Sequence, residues 1–184
     1  MDRELPHSTF FVSPDTYIEM KGKGRYRWSP ALAGEAWDWA CQTATKLAVA
    51  GDVVNLVMPI GIPGSGKSTY LRSLSPLIVA NRVLPGPTLV LDAMWLSAIE
   101  RSHAISFLRG AGIRHVLGVY MDTPLDVCID RQEQRTPDRR VPDGVIRTKS
   151  RRLQAPRLYW GFDALRTVKP NGEESEVTRA RLET

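Results

Sequence analysis

Cysteine is scarce in this sequence: two among 184 residues, Cys41 and Cys128, in no CxxC pair and beside no histidine pair. That pattern argues against a disulfide framework or a zinc site. It fits two reduced, partly buried thiols in a cytoplasmic protein. Histidine is equally sparse, and His7, His103 and His115 form no ligand spacing. No run reaches the roughly 18 apolar residues that a membrane span requires, so no membrane partner is expected. The opening MDRELPHSTFFVSPD has acids and a proline and no clean apolar stretch, so it is not a secretory signal. There is no internal repeat and no low-complexity tract. Neither sign of charge dominates: 25 Lys and Arg stand against 20 Asp and Glu, a net charge of +5. A polyanionic partner is permitted but not demanded. What is present, 42% hydrophobic and 24% charged residues, is the make-up of one soluble domain. At this length a chain buries about 70% of its unfolded surface, enough for a real core.

Hydrophobic runs and their punctuation predict an alternation of strands and helices. TFFVS (9–13) is a short apolar run ending in a Pro14-Asp15 turn. KGKGRYRWSP (21–30) is a basic, glycine-rich and aromatic loop. Ser29 and Pro30 then supply an N-cap and a first helical residue, and Gly51 a stop. VVNLVMPI (53–60) is almost continuously apolar, as in a strand buried on both faces. A helix is expected from Lys67 to Leu74, a buried strand at 88–92 and a helix from Ser97 to Arg109. A strand at 113–121, a helix capped at Asp122, a helix at 142–153, a short strand at 164–168 and a polar tail from 170 follow. The expected fold is α/β: a parallel sheet with helices on both faces, in a single domain over residues 1–184.

The residues that carry chemistry begin at Gly61-Ile62-Pro63-Gly64-Ser65-Gly66-Lys67-Ser68-Thr69, which fits G-x-x-x-x-G-K-[ST]. Glycines let such a loop wrap a phosphate with its N–H groups, and the helix it opens favours an anion at its N-terminus. Lys67 would reach the β- and γ-phosphates, and the Ser68 hydroxyl would ligate Mg²⁺. The buried strand before the loop and the helix after it supply the required context. ATP or another nucleoside triphosphate, with Mg²⁺, is therefore the expected cofactor. No N-K-x-D guanine reader is present, and the chain is short for a motor ATPase.

Beyond the loop the sequence resembles the polynucleotide-kinase-like P-loop kinases over most of residues 9–168. GIPGSGKST is similar to that family's phosphate loop. TLVLDAMWLSAIERSHAISFLRGAGI resembles its strand, Asp, short loop and Arg-containing helix. VYMDTPLDVCIDRQEQRTPDRRVPDGVI resembles its strand, D-x-P, R-x-x-x-R lid and V-P helix, and GFDALRTV its closing strand. One unit is displaced. These kinases place a strand ending in V-S-R-D-D-Y-R and a Y-x-x-S-P substrate loop after the first helix. Here FFVSPDTYIE (10–19) and GRYRWSPALAGEAWDWA (24–40), which look like that unit, precede the phosphate loop. The resemblance thus implies a P-loop sheet with its segments in rearranged order.

It also implies roles. Asp15 takes the place of the general base, which must reach the acceptor hydroxyl; the alternative is that Asp15 only caps a turn. The family's neighbouring acid and following Arg are replaced by Thr16 and Ile18. Asp92, at a strand end, would hold the acceptor or order Mg²⁺ through water, would serve as base if Asp15 proved remote, or would merely cap the next turn. Arg131 and Arg135, four residues apart on one helical face, would clamp the phosphates, with Arg139 and Arg140 as alternatives. The basic excess concentrates in Lys21–Arg27 and in residues 131–157, where Arg147, Lys149, Arg151, Arg152 and Arg157 accompany only three acids.

For the acceptor, Arg25, Tyr26, Arg27 and Trp28, with Lys21 and Lys23, mix cations with aromatics. That mixture suits a single strand or a flipped nucleotide, unless Trp28 is simply tucked into the core. With the resemblance, it implies a nucleic-acid hydroxyl: a 5′-hydroxyl end, or the hydroxymethyl group of 5-hydroxymethyluracil in bacteriophage DNA. No phosphatase or ligase domain marks an end-healing enzyme, so the DNA-modifying reading is preferred. A small-molecule kinase and a non-catalytic nucleotide-binding module are the other classes.

Overall fold

The computed structural model describes residues 9–79 and 83–179. They form β1 (Thr9–Val12), α1 (Pro14–Lys21), α2 (Pro30–Val49), β2 (Asn55–Ile60), α3 (Lys67–Val79), β3 (Thr88–Leu91), α4 (Ala98–Gly110), β4 (His115–Met121), α5 (Leu125–Glu133), α6 (Asp143–Arg152), β5 (Ala164–Val168) and β6 (Glu174–Thr178), with a 3-10 turn at Leu158–Trp160. The strands make one sheet in the order β1-β3-β2-β4-β5-β6. All neighbours are parallel except β5 and β6.

The apolar run in β2 is buried at every position, because it sits in the middle of the sheet with helices on both sides. Successive side chains point to opposite faces. Leu56, Met58 and Ile60 pack with Ala40, Ala44 and Ala48 of α2 and with Ile105 and Leu108 of α4. Val57 faces the other way, onto Leu71, Leu74 and Ile78 of α3. The α2 contact is a stripe of alanines four residues apart, whose small side chains allow close approach to the sheet. On the α3 side, larger leucines and isoleucine contribute about 1.5–3 kcal/mol each by burial. A third cluster, Ile62, Leu96, Cys128, Ile129 and Ile146, ties the phosphate loop to the loop after β3 and to α5 and α6. It sits beyond the carboxyl ends of the strands, where ligands of parallel sheets collect.

Four local expectations change. Ser13-Pro14-Asp15 opens a helix rather than a turn: Ser13 Oγ accepts from the Asp15 N–H at 3.2 Å, and Pro14 takes the first helical position. This is the same Ser-Pro signal that starts α2, where Ser29 Oγ accepts from the Leu32 N–H. Helix α3 runs past Leu74 to Val79 with Pro76 inside it. Asp122 does not cap α5; the helix starts after Pro124 without a side-chain cap, and the Asp122 charge helps burial to raise the Tyr120 pKa. Part of the polar tail pairs as β6, held antiparallel to β5 by the ladder and by Arg166, which bridges to Glu176 at 2.7 Å. His7 and the end of the tail (180–184) lie outside the described residues. Among the described residues, no helix is long and apolar enough to cross a membrane.

Candidate active site

The phosphate loop joins β2 to α3, as its spacing predicts. Gly64 has a φ of +84°, and a Cβ there would stand 2.3 Å from the backbone oxygen of Cys128, so only glycine lets α5 lie against the loop. At Gly61 an added Cβ would come within 2.6 Å of Ser65 Oγ. That hydroxyl is buried and has no hydrogen-bond partner among the described residues. A tight glycine cradle holding an unpaired buried hydroxyl at a helix N-terminus is a fitting place for a phosphate. Pro63 and Gly66 complete the turn, and Ser68 and Thr69 stand exposed on the first turn of α3. Ser68 is thus placed to offer its hydroxyl to a metal–phosphate complex. No group of three His, Cys, Asp or Glu side chains gathers elsewhere among the described residues to hold a metal.

Lys67 folds back over its own loop, donating from Nζ to the carbonyls of Gly61 at 2.8 Å and Ile62 at 3.2 Å. Burial of its ammonium lowers its pKa to about 8, against the opposing pull of Asp92 and Asp15. Both carboxylates are therefore within electrostatic reach of this lysine. Asp92 follows β3, and its N–H donates to the Val12 carbonyl at 2.9 Å, continuing the β1–β3 pairing. Burial raises its carboxyl above the ordinary range; Lys67 counters this and Asp15 adds to it. Asp15 stands at the start of α1. Strand β1 is an edge strand, but its carboxyl end adjoins Asp92 rather than lying remote from the loop. The displaced unit and the phosphate loop thus meet at one end of the sheet.

Arg131 and Arg135 both come to the loop, but not from one helical face. Arg131, in α5, reaches the carbonyls of Gly64 and Ser65 at 3.4 and 3.3 Å. The helix ends at Glu133, so Arg135 lies in the following turn, where its charge helps to depress the Lys67 pKa. The departure follows from Thr136-Pro137, since the residue before a proline is pushed out of helical conformation. Thr123 Oγ1 donates to the Ser65 carbonyl at 2.9 Å and secures the loop from the β4 side. Arg139 pairs with Glu19 and lies over the Tyr26 ring, and Arg140 bonds the Glu133 carbonyl.

The segment before α2 carries the acceptor candidates. Lys21, Lys23, Arg25 and Arg27 line an open groove of about 580 Å³ with Gly22 and Leu32. Trp28 is 61% exposed, so it is not a core residue. Tyr26 behaves differently from a stacking platform: its hydroxyl donates to Asp15 Oδ1 at 2.9 Å.

Two features were missed by motif reading. Trp95, in the loop after β3, has a φ of +53°, a strained conformation for a bulky residue. It is held by Nε1 donating to the Leu91 carbonyl at 3.1 Å and by edge-to-face contact with Trp37 at 5.1 Å. Arg101 is wholly buried and uses its guanidinium on backbone carbonyls: Trp95 at 2.6 Å, Leu96 at 3.2 Å and Gln154 at 2.8 Å. Together they fix the loop that carries Asp92 and whose Met94 carbonyl accepts from the Gly61 N–H. The signal was available: Arg101, Ile105 and Leu108 repeat at helical spacing, so a cation lies on the apolar face of α4.

No protein-family model matches the chain, and no curated protein sequence matches it. Solved structures do. The chain is similar to the AvrRxo1-ORF1:AvrRxo1-ORF2 complex in its native form (TM-score 0.54), with sulphate ions (0.53) and with ATP (0.52). Each is 16% identical, and each match covers 82% of this chain and 67% of the other. At that identity the likeness establishes the fold: a mixed α/β domain with a six-stranded, mostly parallel sheet.

Proposed function

We propose that this protein is an ATP-dependent kinase that transfers the γ-phosphate to a hydroxyl of a nucleic acid, and that the acceptor is the hydroxymethyl group of 5-hydroxymethyluracil in DNA. The observation that carries the kinase reading is that the ends of β1 and β3, which bear Asp15 and Asp92, meet the Gly61–Thr69 loop at one end of the sheet, where both carboxylates act on the Lys67 ammonium. A structural neighbour solved with ATP supports the choice of donor.

In this mechanism the loop amides and Lys67 hold the phosphates, and Arg131 and Arg135 face the charge that spreads over the transferring group. Ser68 would hold the magnesium ion, which supplies charge neutralisation between the phosphates. Asp15 takes the proton of the acceptor hydroxyl as its oxygen bonds to phosphorus and the bond to ADP breaks. Asp92, kept more easily protonated by burial, orients the acceptor. The groove lined by Lys21, Lys23, Arg25 and Arg27 meets the acceptor's phosphates, and the exposed Trp28 offers a base a stacking face. That same surface suits a 5′-hydroxyl end, which is the second reading.

The test is transfer from γ-labelled ATP to three DNAs: one containing 5-hydroxymethyluracil, an unmodified 5′-hydroxyl oligonucleotide, and an unmodified 5′-phosphorylated one. Label in the modified DNA alone supports the first reading, and label on the 5′-hydroxyl oligonucleotide the second. Label in none, with ATP still bound, refutes a nucleic-acid acceptor. Asp15→Asn is expected to remove transfer while leaving ATP binding within about twofold.

A further inference from the structure

Two stretches distant in sequence meet at Tyr26: α1 with the loop that follows it, and the segment that carries Arg139. Its hydroxyl donates to Asp15 Oδ1 at 2.9 Å. The Arg139 guanidinium lies over its ring, 5.7 Å from the centroid. The same guanidinium pairs with Glu19, one turn along α1 from Asp15. The chain reaches this arrangement by reversing just after α1, where the Gly24 N–H donates to the Glu19 carbonyl at 2.9 Å and the Arg25 N–H to Gly22 at 3.2 Å. That reversal carries Tyr26 back along the helix to its first turn. Burial, and then the neighbouring Asp15, raise the Tyr26 pKa, so at neutral pH the phenol is a hydrogen-bond donor.

We infer that Tyr26 is a positioning residue for the Asp15 carboxylate and that Arg139 joins the lid between α5 and α6 to it. This rests on the kinase reading above. Asp15 sits near an exposed helix start, where a free carboxylate samples several rotamers. One bond to Oδ1 fixes its plane and leaves Oδ2 to take the acceptor proton. An exposed Arg–Glu pair alone holds little, about 0–1 kcal/mol. A guanidinium that also lies within cation–π range of a ring is a more specific fastening. When the lid segment lies down, its arginine closes on the ring whose hydroxyl sets the base, so phosphate coverage and base orientation come together.

The experiment uses the full chain with two readouts: hydrolysis of labelled ATP with water as acceptor, and amide exchange of residues 136–141. Tyr26→Phe should lower kcat about tenfold with the KM for ATP within about twofold. Tyr26→Leu and Arg139→Lys should each speed lid exchange about fivefold or more, while Tyr26→Phe, which keeps the ring, should not. Wild-type kcat in Tyr26→Phe, with Asp15→Asn inactive, overturns the positioning role and leaves the kinase reading standing. Normal turnover in Asp15→Asn overturns the base assignment, and the positioning role with it. Unchanged lid exchange in Tyr26→Leu overturns the coupling to Arg139, whether or not hydrolysis is measurable.

Discussion

In the free protein the Lys67 ammonium titrates at about 8, because burial disfavours its charge more than Asp92 and Asp15 favour it. A triphosphate seated in the loop places several negative charges beside that nitrogen and pulls its pKa back up. Binding of ATP above pH 8 must therefore take up a proton. At pH 8.5 about three-quarters of the free lysine is neutral, so roughly 0.75 proton should enter per ATP bound. With a bound ammonium that stays charged, affinity should weaken roughly thirtyfold between pH 7 and 9.5, about 2 kcal/mol. Folding has the opposite sign. The folded pKa lies below the unfolded value of 10.5, so this lysine is most unfavourable to the fold below pH 8 and is relieved as the pH rises towards 10.5. Weaker ATP binding at pH 9.5 is thus not explained by this group loosening the protein. Titration calorimetry with Mg-ATP, repeated in two buffers of different protonation enthalpy, reads the proton directly. Asp92→Asn removes a charge that supports the ammonium, so uptake should shift to lower pH. Lys67→Arg, which stays charged throughout, should abolish the uptake. No proton uptake at pH 8.5, together with flat affinity from pH 7 to 9.5, would show that the lysine is not depressed and that the electrostatic picture of the site is wrong.

Other substitutions probe separate parts of the site. Gly64→Ala places a Cβ 2.3 Å from the Cys128 carbonyl and strains a positive φ. It should cost roughly 2–4 kcal/mol by thermal melting and abolish ATP binding even where the chain still folds. Arg101→Met keeps much of the buried volume but drops three bonds to carbonyls. A loss of about 2–4 kcal/mol is expected in denaturant melts, with impaired turnover because the Asp92 loop loses its anchor. Trp28→Ala, at an exposed position, should leave the melting temperature within about 2 °C and raise the KM for acceptor DNA about tenfold; an unchanged KM removes the stacking role.

The strand–loop–helix setting of Gly61–Thr69 was legible because its signals are local: glycine spacing, a buried strand before it and a helix after it all lie within about twenty residues. The same holds for the α2 start at Ser29-Pro30 and for the apolar runs that become β2, β3 and β4. Strand β6 was not legible, because ESEVT is polar and exposed and becomes a strand only through its ladder with β5 and the Arg166 pairs. The helical face shared by Arg131 and Arg135 failed because α5 ends two residues before Arg135.

The sequence by itself determined the kind of domain, the glycine-rich loop between β2 and α3 and the side chains it carries, since each depends on neighbours along the chain. The tertiary structure alone decided that β1 lies beside β3, which brings Asp15 to Lys67 from some fifty residues upstream. It also decided that Trp28 faces solvent, that Arg101 is buried on carbonyls, and that Tyr26 meets Asp15 under Arg139. Those contacts arise from the order in which strands pair and from a chain reversal after α1, and neither leaves a period or a motif in the residues that it joins.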